Sequence, residues 1–122
     1  MEHSPAFLEV VNDAKSRVLE TTLPQTRHKL ETIPGAALVD VREDSEWQAG
    51  HIIGSCHLGK GVLERDIEKM FPNKNQTLLL YCGGGFRSAL AADMAMKMGY
   101  KEVFSVRGGF KAMAAEAWPV VK

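Results

Sequence analysis

From Thr77 to Ala89 the chain reads TLLLYCGGGFRSA: an apolar run, a cysteine, three glycines, and an arginine that opens the next segment. A compact apolar run of this length suits a strand covered on both faces. Arg87 to Met98 then keeps helical spacing until Gly99, a natural C-terminal cap residue. Strand, turn and helix in this order put Cys82 at the carboxyl end of a buried strand and at the start of a helix. Three consecutive glycines cost backbone entropy, so they predict a tight loop that side chains would obstruct. Its amide N–H groups are expected to converge on one point, and such a nest at a helix N-terminus favours negative charge.

That arrangement has a chemical consequence. An ordinary cysteine, with a pKa of about 8.5, is only about 3% thiolate at pH 7. A helix N-terminus with a nearby cation commonly lowers a cysteine by about two units and makes the nucleophilic thiolate the majority species. Arg87, five residues beyond Cys82, can supply the cation and offer an anionic substrate its fork of donors. Cys82 is therefore the expected nucleophile. A phosphate-binding nucleotide loop is a poor fit, because no lysine followed by Ser or Thr stands in place and no spaced dinucleotide fingerprint is present.

The rest of the chain alternates short strands with helices. Ser4 and Pro5 start an amphipathic helix to about Arg17. Val18 to Thr22 reads as a strand, Pro24 to Glu31 as a helix, Ala36 to Val41 as a buried strand, and Glu43 to Ala49 as a helical turn stopped by Gly50. Ser55 to Leu58 reads as a short strand and Val62 to Phe71 as a helix closed by Pro72. Val103 to Val106 is the last expected strand, before Gly108, Gly109 and a final helical segment. Together these predict an α/β domain with a largely parallel sheet. In the helix after Cys82 only Ser88, Asp93 and Lys97 are polar, so it is expected to be central to its layer, with its methionines filling core.

A chain of 122 residues fits one domain, and 45% hydrophobic with 25% charged residues is an ordinary globular balance. Fifteen basic residues offset fifteen acidic ones, leaving no basic stripe for nucleic acid. Neither a secretory signal nor a membrane span is read from the sequence, and two cysteines, Cys56 and Cys82, fit a reduced compartment better than a disulfide. A cytoplasmic protein is the expectation.

At the cysteine loop the chain resembles the rhodanese family. CGGGFR is similar to that family's cysteine-to-arginine loop, with four residues between the two. Upstream, Asp40, Arg42, Glu46, Trp47, Gly50, His51 and Gly54 fall on its first signature, and VRGGF (Val106 to Phe110) is similar to its glycine pair before the last helix. The resemblance runs from about Val18 to Val121. It makes residues 18–122 a rhodanese domain and Met1 to Arg17 an extension, a covering helix or a partner surface. It implies a three-layer α/β/α fold with a five-stranded, mostly parallel sheet. It also implies that Cys82 takes sulfur from thiosulfate or a persulfide donor and passes it to cyanide, a thiol or a protein, with no metal or other cofactor. The amides from Gly83, Gly84, Gly85, Phe86 and Arg87 would cradle the persulfide. Where the family has an aromatic residue after the glycine pair this chain has Met113, and Trp118 is expected to fill similar space.

Asp40, Arg42 and Glu46 are read as supporting residues, forming an ion pair that fixes the loop or a wall of the pocket. His57 beside Cys56 invites a metal or catalytic pairing, but neighbours on a strand point to opposite faces and no further ligands stand at metal spacing. Three rival functions remain. One is a persulfide carrier in a protein sulfur relay, with little thiosulfate turnover. Another is a cysteine phosphatase or arsenate reductase, whose loop has five residues between cysteine and arginine. The third is a redox cycle of a Cys56–Cys82 disulfide.

Overall fold

The computed structural model describes residues 2–122, so Met1 of the expected extension lies outside the described residues. In chain order the elements are α1 (Pro5–Lys15), β1 (Leu19–Thr21), α2 (Leu23–Thr32), β2 (Ala37–Asp40), α3 (Asp44–Ala49), β3 (His51–Ile52) and β4 (Cys56–His57). A 3₁₀ turn (Lys60–Val62) then leads into α4 (Leu63–Met70), β5 (Leu78–Tyr81), α5 (Arg87–Lys97), β6 (Val103–Val106), α6 (Gly109–Ala115) and β7 (Val120–Val121). Local chemistry sets several of these boundaries. The Phe7 amide donates to the Ser4 hydroxyl at 3.2 Å, with Pro5 next, which starts α1. Thr22 and Gln25 exchange side-chain and amide bonds at 3.3 and 2.9 Å, a capping box for α2.

The five strands read from the sequence form one sheet in the order β1-β6-β5-β2-β4, with every pairing parallel. β5 is therefore the middle strand, and its alternate residues feed two cores. Leu78, Leu80 and Cys82 pack with Leu63 and Ile67 of α4 and Ala91, Ala92 and Ala95 of α5. Leu79 and Tyr81 pack on the other face with Phe104, Val106, Met113 and Trp118. Leu78 and Leu79 are fully buried, each contributing roughly 1.5–3 kcal/mol of transfer free energy. This is the three-layer α/β/α arrangement expected from the sequence.

Three details differ from, or complete, that reading. A separate two-stranded antiparallel ribbon pairs β3 with β7, and the sequence reading did not include it as such. Two-residue strands carry too little alternation to be seen. α5 is central, but its buried face is made of Ala89, Ala91, Ala92 and Ala95 with Ser88 and Asp93, while Met96 is 36% exposed. Small side chains let this helix lie close to the sheet; Met96 faces outward and Met94 is half-buried, while Met98 packs against the core as expected. Asp93 tolerates its burial because the Arg17 guanidinium meets it at 2.9 and 2.8 Å. Trp118 does fill space beside Met113: both are buried in one cluster, and the Trp118 amide donates to the Met113 carbonyl at 3.0 Å. Among the described residues no helix is long and apolar enough to cross a membrane.

Candidate active site

Because the sheet is parallel, the carboxyl ends of β2, β5 and β6 open on one edge, the usual ligand side of such sheets. Cys82 stands there, one residue beyond β5, with 1% of its surface exposed. Gly85 adopts φ +97°, a left-handed value open to glycine, and its amide donates to the Cys82 sulfur at 3.1 Å. The Gly83, Gly84 and Phe86 amides donate to no protein acceptor among the described residues. One amide, not the expected ring of them, therefore reaches the cysteine's own sulfur. Only the turn at Gly85 aims its N–H back at Sγ.

The three glycines are not equivalent. A Cβ at Gly83 would come within 3.0 Å of the Arg87 guanidinium, and one at Gly85 within 3.2 Å of the Gly108 backbone nitrogen. At Gly84 a Cβ would meet only the Phe86 ring at 3.7 Å, an ordinary contact. The loop is also held from the second glycine pair. The Phe110 amide donates to the Cys82 carbonyl at 2.7 Å, and the Lys111 amide to that of Gly83 at 3.1 Å. Gly109 lies so close that a Cβ there would land on the Cys82 carbonyl. The glycine pair thus lets the first turn of α6 seat the strand end that carries the sulfur. Behind the sulfur lies a buried hydroxyl pair, Ser88 at 3.5 Å from Sγ and Ser105 at 2.7 Å from Ser88. Sequence reading counted Ser88 as polar and did not assign it to the site.

The supporting residues divide into two pairs. Arg42 and Asp40 join at 2.8 to 3.1 Å with both almost fully buried, and Arg42 also donates to the Gly50 carbonyl at 2.6 Å. Burial opposes the Arg42 charge, and the Asp40 carboxylate more than offsets it. The guanidinium stacks on Phe110 at 4.1 Å, tying β2 to α6. Glu46 pairs instead with Arg87, in a two-pronged contact at 2.7 and 3.0 Å, and accepts the Glu43 amide at 3.1 Å. The Arg87 guanidinium holds the Glu46 carboxyl down at about 2, against the smaller opposing pull of burial. The pair is thus ionised above the ordinary carboxylate range near pH 4.3, and loosens only as pH falls toward about 2. Arg87 lies beside the cysteine loop, with its fork already engaged by the Glu46 carboxylate.

A cavity of about 760 Å³ opens beside this pair, lined among others by Arg87, Lys60, Phe7, Val62 and Leu90. Sequence reading placed none of the last four at the site; Leu90 follows Arg87 in α5, while Lys60, Phe7 and Val62 come from segments that meet the site only in three dimensions. His51 and His57 both stack on the Trp47 ring, with centroids at 3.4 and 4.9 Å. They donate to the carbonyls of Trp47 (3.0 Å, from His51) and Arg42 (2.8 Å, from His57), so both serve backbone order. Among the described residues no group of three or more His, Cys, Asp or Glu could hold a metal ion.

Cys56 stands opposite Val39 of β2, which stands opposite Leu80 of β5. Two strand spacings sideways and two residues along separate it from Cys82 by about 12 Å. A disulfide needs Cα atoms within roughly 7 Å, so the pair cannot close without moving the sheet. Both cysteines are free, and burial pushes the Cys56 thiol up.

A family model, the Rhodanese-like domain, matches residues 22–116. The chain belongs to the rhodanese family. Among sulfurtransferase-related proteins it is 30% identical over 96 residues to YrkF of Bacillus subtilis, which is named a candidate sulfur carrier protein; the match covers 79% of this chain and 51% of YrkF. This rhodanese-family chain thus spans about half the length of that relative. It is 33% identical over 78 residues to the thiosulfate sulfurtransferase GlpE of Coxiella burnetii, covering 64% of this chain and 71% of GlpE. A solved structure from Rhodopseudomonas palustris, described as a protein of unknown function and possible tyrosine phosphatase, matches with a TM-score of 0.85 at 28% identity, over 99% of each chain. That likeness takes in α1, which the family match leaves out.

Proposed function

We propose that this chain is a sulfurtransferase carrying sulfane sulfur as a persulfide on Cys82. The Cys82 thiolate attacks the outer sulfur of thiosulfate or of a persulfide donor. The donor's sulfur–sulfur bond breaks, sulfite or a thiolate leaves with the electron pair, and a new sulfur–sulfur bond forms on Cys82. A thiophilic acceptor (cyanide, a thiol or a protein) then takes the terminal sulfur and returns the thiolate. The observation that carries this reading is the Gly85 amide on the Cys82 sulfur at 3.1 Å, at the carboxyl end of the middle strand. The amides of Gly83, Gly84 and Phe86, which donate to no protein acceptor among the described residues, are free to meet an added outer sulfur. Two free cysteines fit the reducing cytoplasm.

A carrier role in a protein relay has its own support. Arg87 is held by Glu46, and Cys82 is 1% exposed, so a small dianion such as thiosulfate meets a cation already paired. The name of YrkF points the same way. Thiocyanate formation from cyanide, with thiosulfate and with a low-molecular-weight persulfide as alternative donors, tests both. Transfer from at least one donor is expected, and a marked preference for the persulfide favours the carrier. Aryl-phosphate hydrolysis without any sulfur transfer would replace this reading by the phosphatase one. The Cys82-to-Arg87 loop, with four intervening residues, opposes that outcome.

A further inference from the structure

The segment before the family match reaches the reactive loop. α1 is anchored by Val11 and Ala14, each 1% exposed, and by the Arg17 guanidinium on the Asp93 carboxylate of α5. From this seat Phe7 and Lys15, with His3 just ahead of the helix, surround one residue of the loop. The His3 ring lies 4.5 Å from the Phe86 ring, the Phe7 ring 6.5 Å, and the Lys15 ammonium 5.1 Å above its centroid. His3 and Phe7 also contact each other at 5.1 Å. Phe86 in turn folds back against Gly84, whose Cβ position is 3.7 Å from the ring. Phe7 also lines the cavity at Arg87, as does Val62. Aromatic pairs and a cation over a ring face are each attractive at these separations.

We propose that α1 and the residue His3 ahead of it form a positioning element for the reactive loop: His3, Phe7 and Lys15 grip Phe86, which keeps the Gly83–Gly85 turn closed over Cys82. Sulfur exchange then requires Phe86 to leave this grip, so the hold of α1 sets how often the sulfur is reachable. The grip is a property of the loop's geometry, and its bearing on transfer rests on the reading of Cys82 as the sulfur carrier. These residues act through Phe86 and touch no reacting atom.

The test is the rate of iodoacetamide alkylation of the full-length protein, read by peptide mass at Cys82 and, as an internal control, at Cys56. Phe7→Leu keeps apolar bulk and removes the ring. It is expected to speed alkylation at Cys82 by about threefold to tenfold, the scale of one lost aromatic contact, with Cys56 unchanged. Phe7→Tyr restores the ring and should return the rate to that of the parent, while Val10→Ala, on the exposed side of α1, should leave it unchanged. His3→Ala removes the nearest ring from outside the helix and carries the same expectation if Phe7→Leu does not fold. An unchanged Cys82 rate in both ring-deletion variants overturns the proposal, as does a parallel rise at both cysteines, which marks general loosening. A parent protein that accepts no sulfur would refute the transfer reading without touching the alkylation result.

Discussion

Cys82→Ser is expected to lower sulfur transfer from thiosulfate or a persulfide donor by more than about a thousandfold, the scale of losing a covalent nucleophile. Serine has nearly the same shape, and its hydroxyl can still accept the Gly85 amide and meet Ser88, so the loop keeps its partners. What disappears is the atom that forms the sulfur–sulfur bond. Cys56→Ser is the matched control, and it is expected to keep transfer within about twofold, as for a change outside any reacting group. Its thiol sits across an intervening strand, donates to the Leu38 carbonyl at 3.7 Å, and is pushed up by burial. Thiocyanate formation and thermal unfolding on the same preparations check both. Loss of activity in Cys56→Ser with retention in Cys82→Ser would reverse the assignment and revive a redox role.

The second large effect concerns stability. Asp40→Ala is expected to cost about 3–5 kcal/mol, because it leaves Arg42 as an uncompensated buried charge. Asp40 is fully buried and Arg42 is 5% exposed, so water cannot take over the lost partner. For a domain of this size that corresponds to a fall in melting temperature of roughly 10–20 °C. Replacing both partners, Asp40→Leu with Arg42→Met, should recover part of the loss, since no buried charge is left unpaired, while the Arg42 amide and the Gly50 carbonyl still lose their partners. Melting curves by circular dichroism test this. A fall of only a few degrees for Asp40→Ala would mean that the pair contributes little, and that the Arg42 stack on Phe110 holds this corner instead.

The parts of the structure that the sequence made legible are those written in local patterns. Leu78 to Tyr81 reads as a buried strand from its length and apolar run, and the cysteine, three glycines and helix that follow place Cys82 at its end. The same local logic found the Ser4–Pro5 start of α1 and the stop at Gly99. Contacts between distant segments were not legible. Glu46 and Arg87 are 41 positions apart, and nothing in either segment told that they would meet each other while Arg42 turned back to Asp40. The orientation of α5 was hidden because alanine and methionine are both apolar; only the closeness of the sheet decides that alanine faces in. The two short strands of the β3–β7 ribbon lack the length for a pattern, and the contact of α1 with Phe86 joins a segment outside the family match to its loop.

The persulfide is the account's central species, and intact mass reads it directly. Reduced protein mixed with thiosulfate or a low-molecular-weight persulfide, then freed of donor, is expected to gain about 32 Da, removable by a reductant and located on the peptide containing Cys82. No gain with either donor, or a gain confined to the Cys56 peptide, would contradict it.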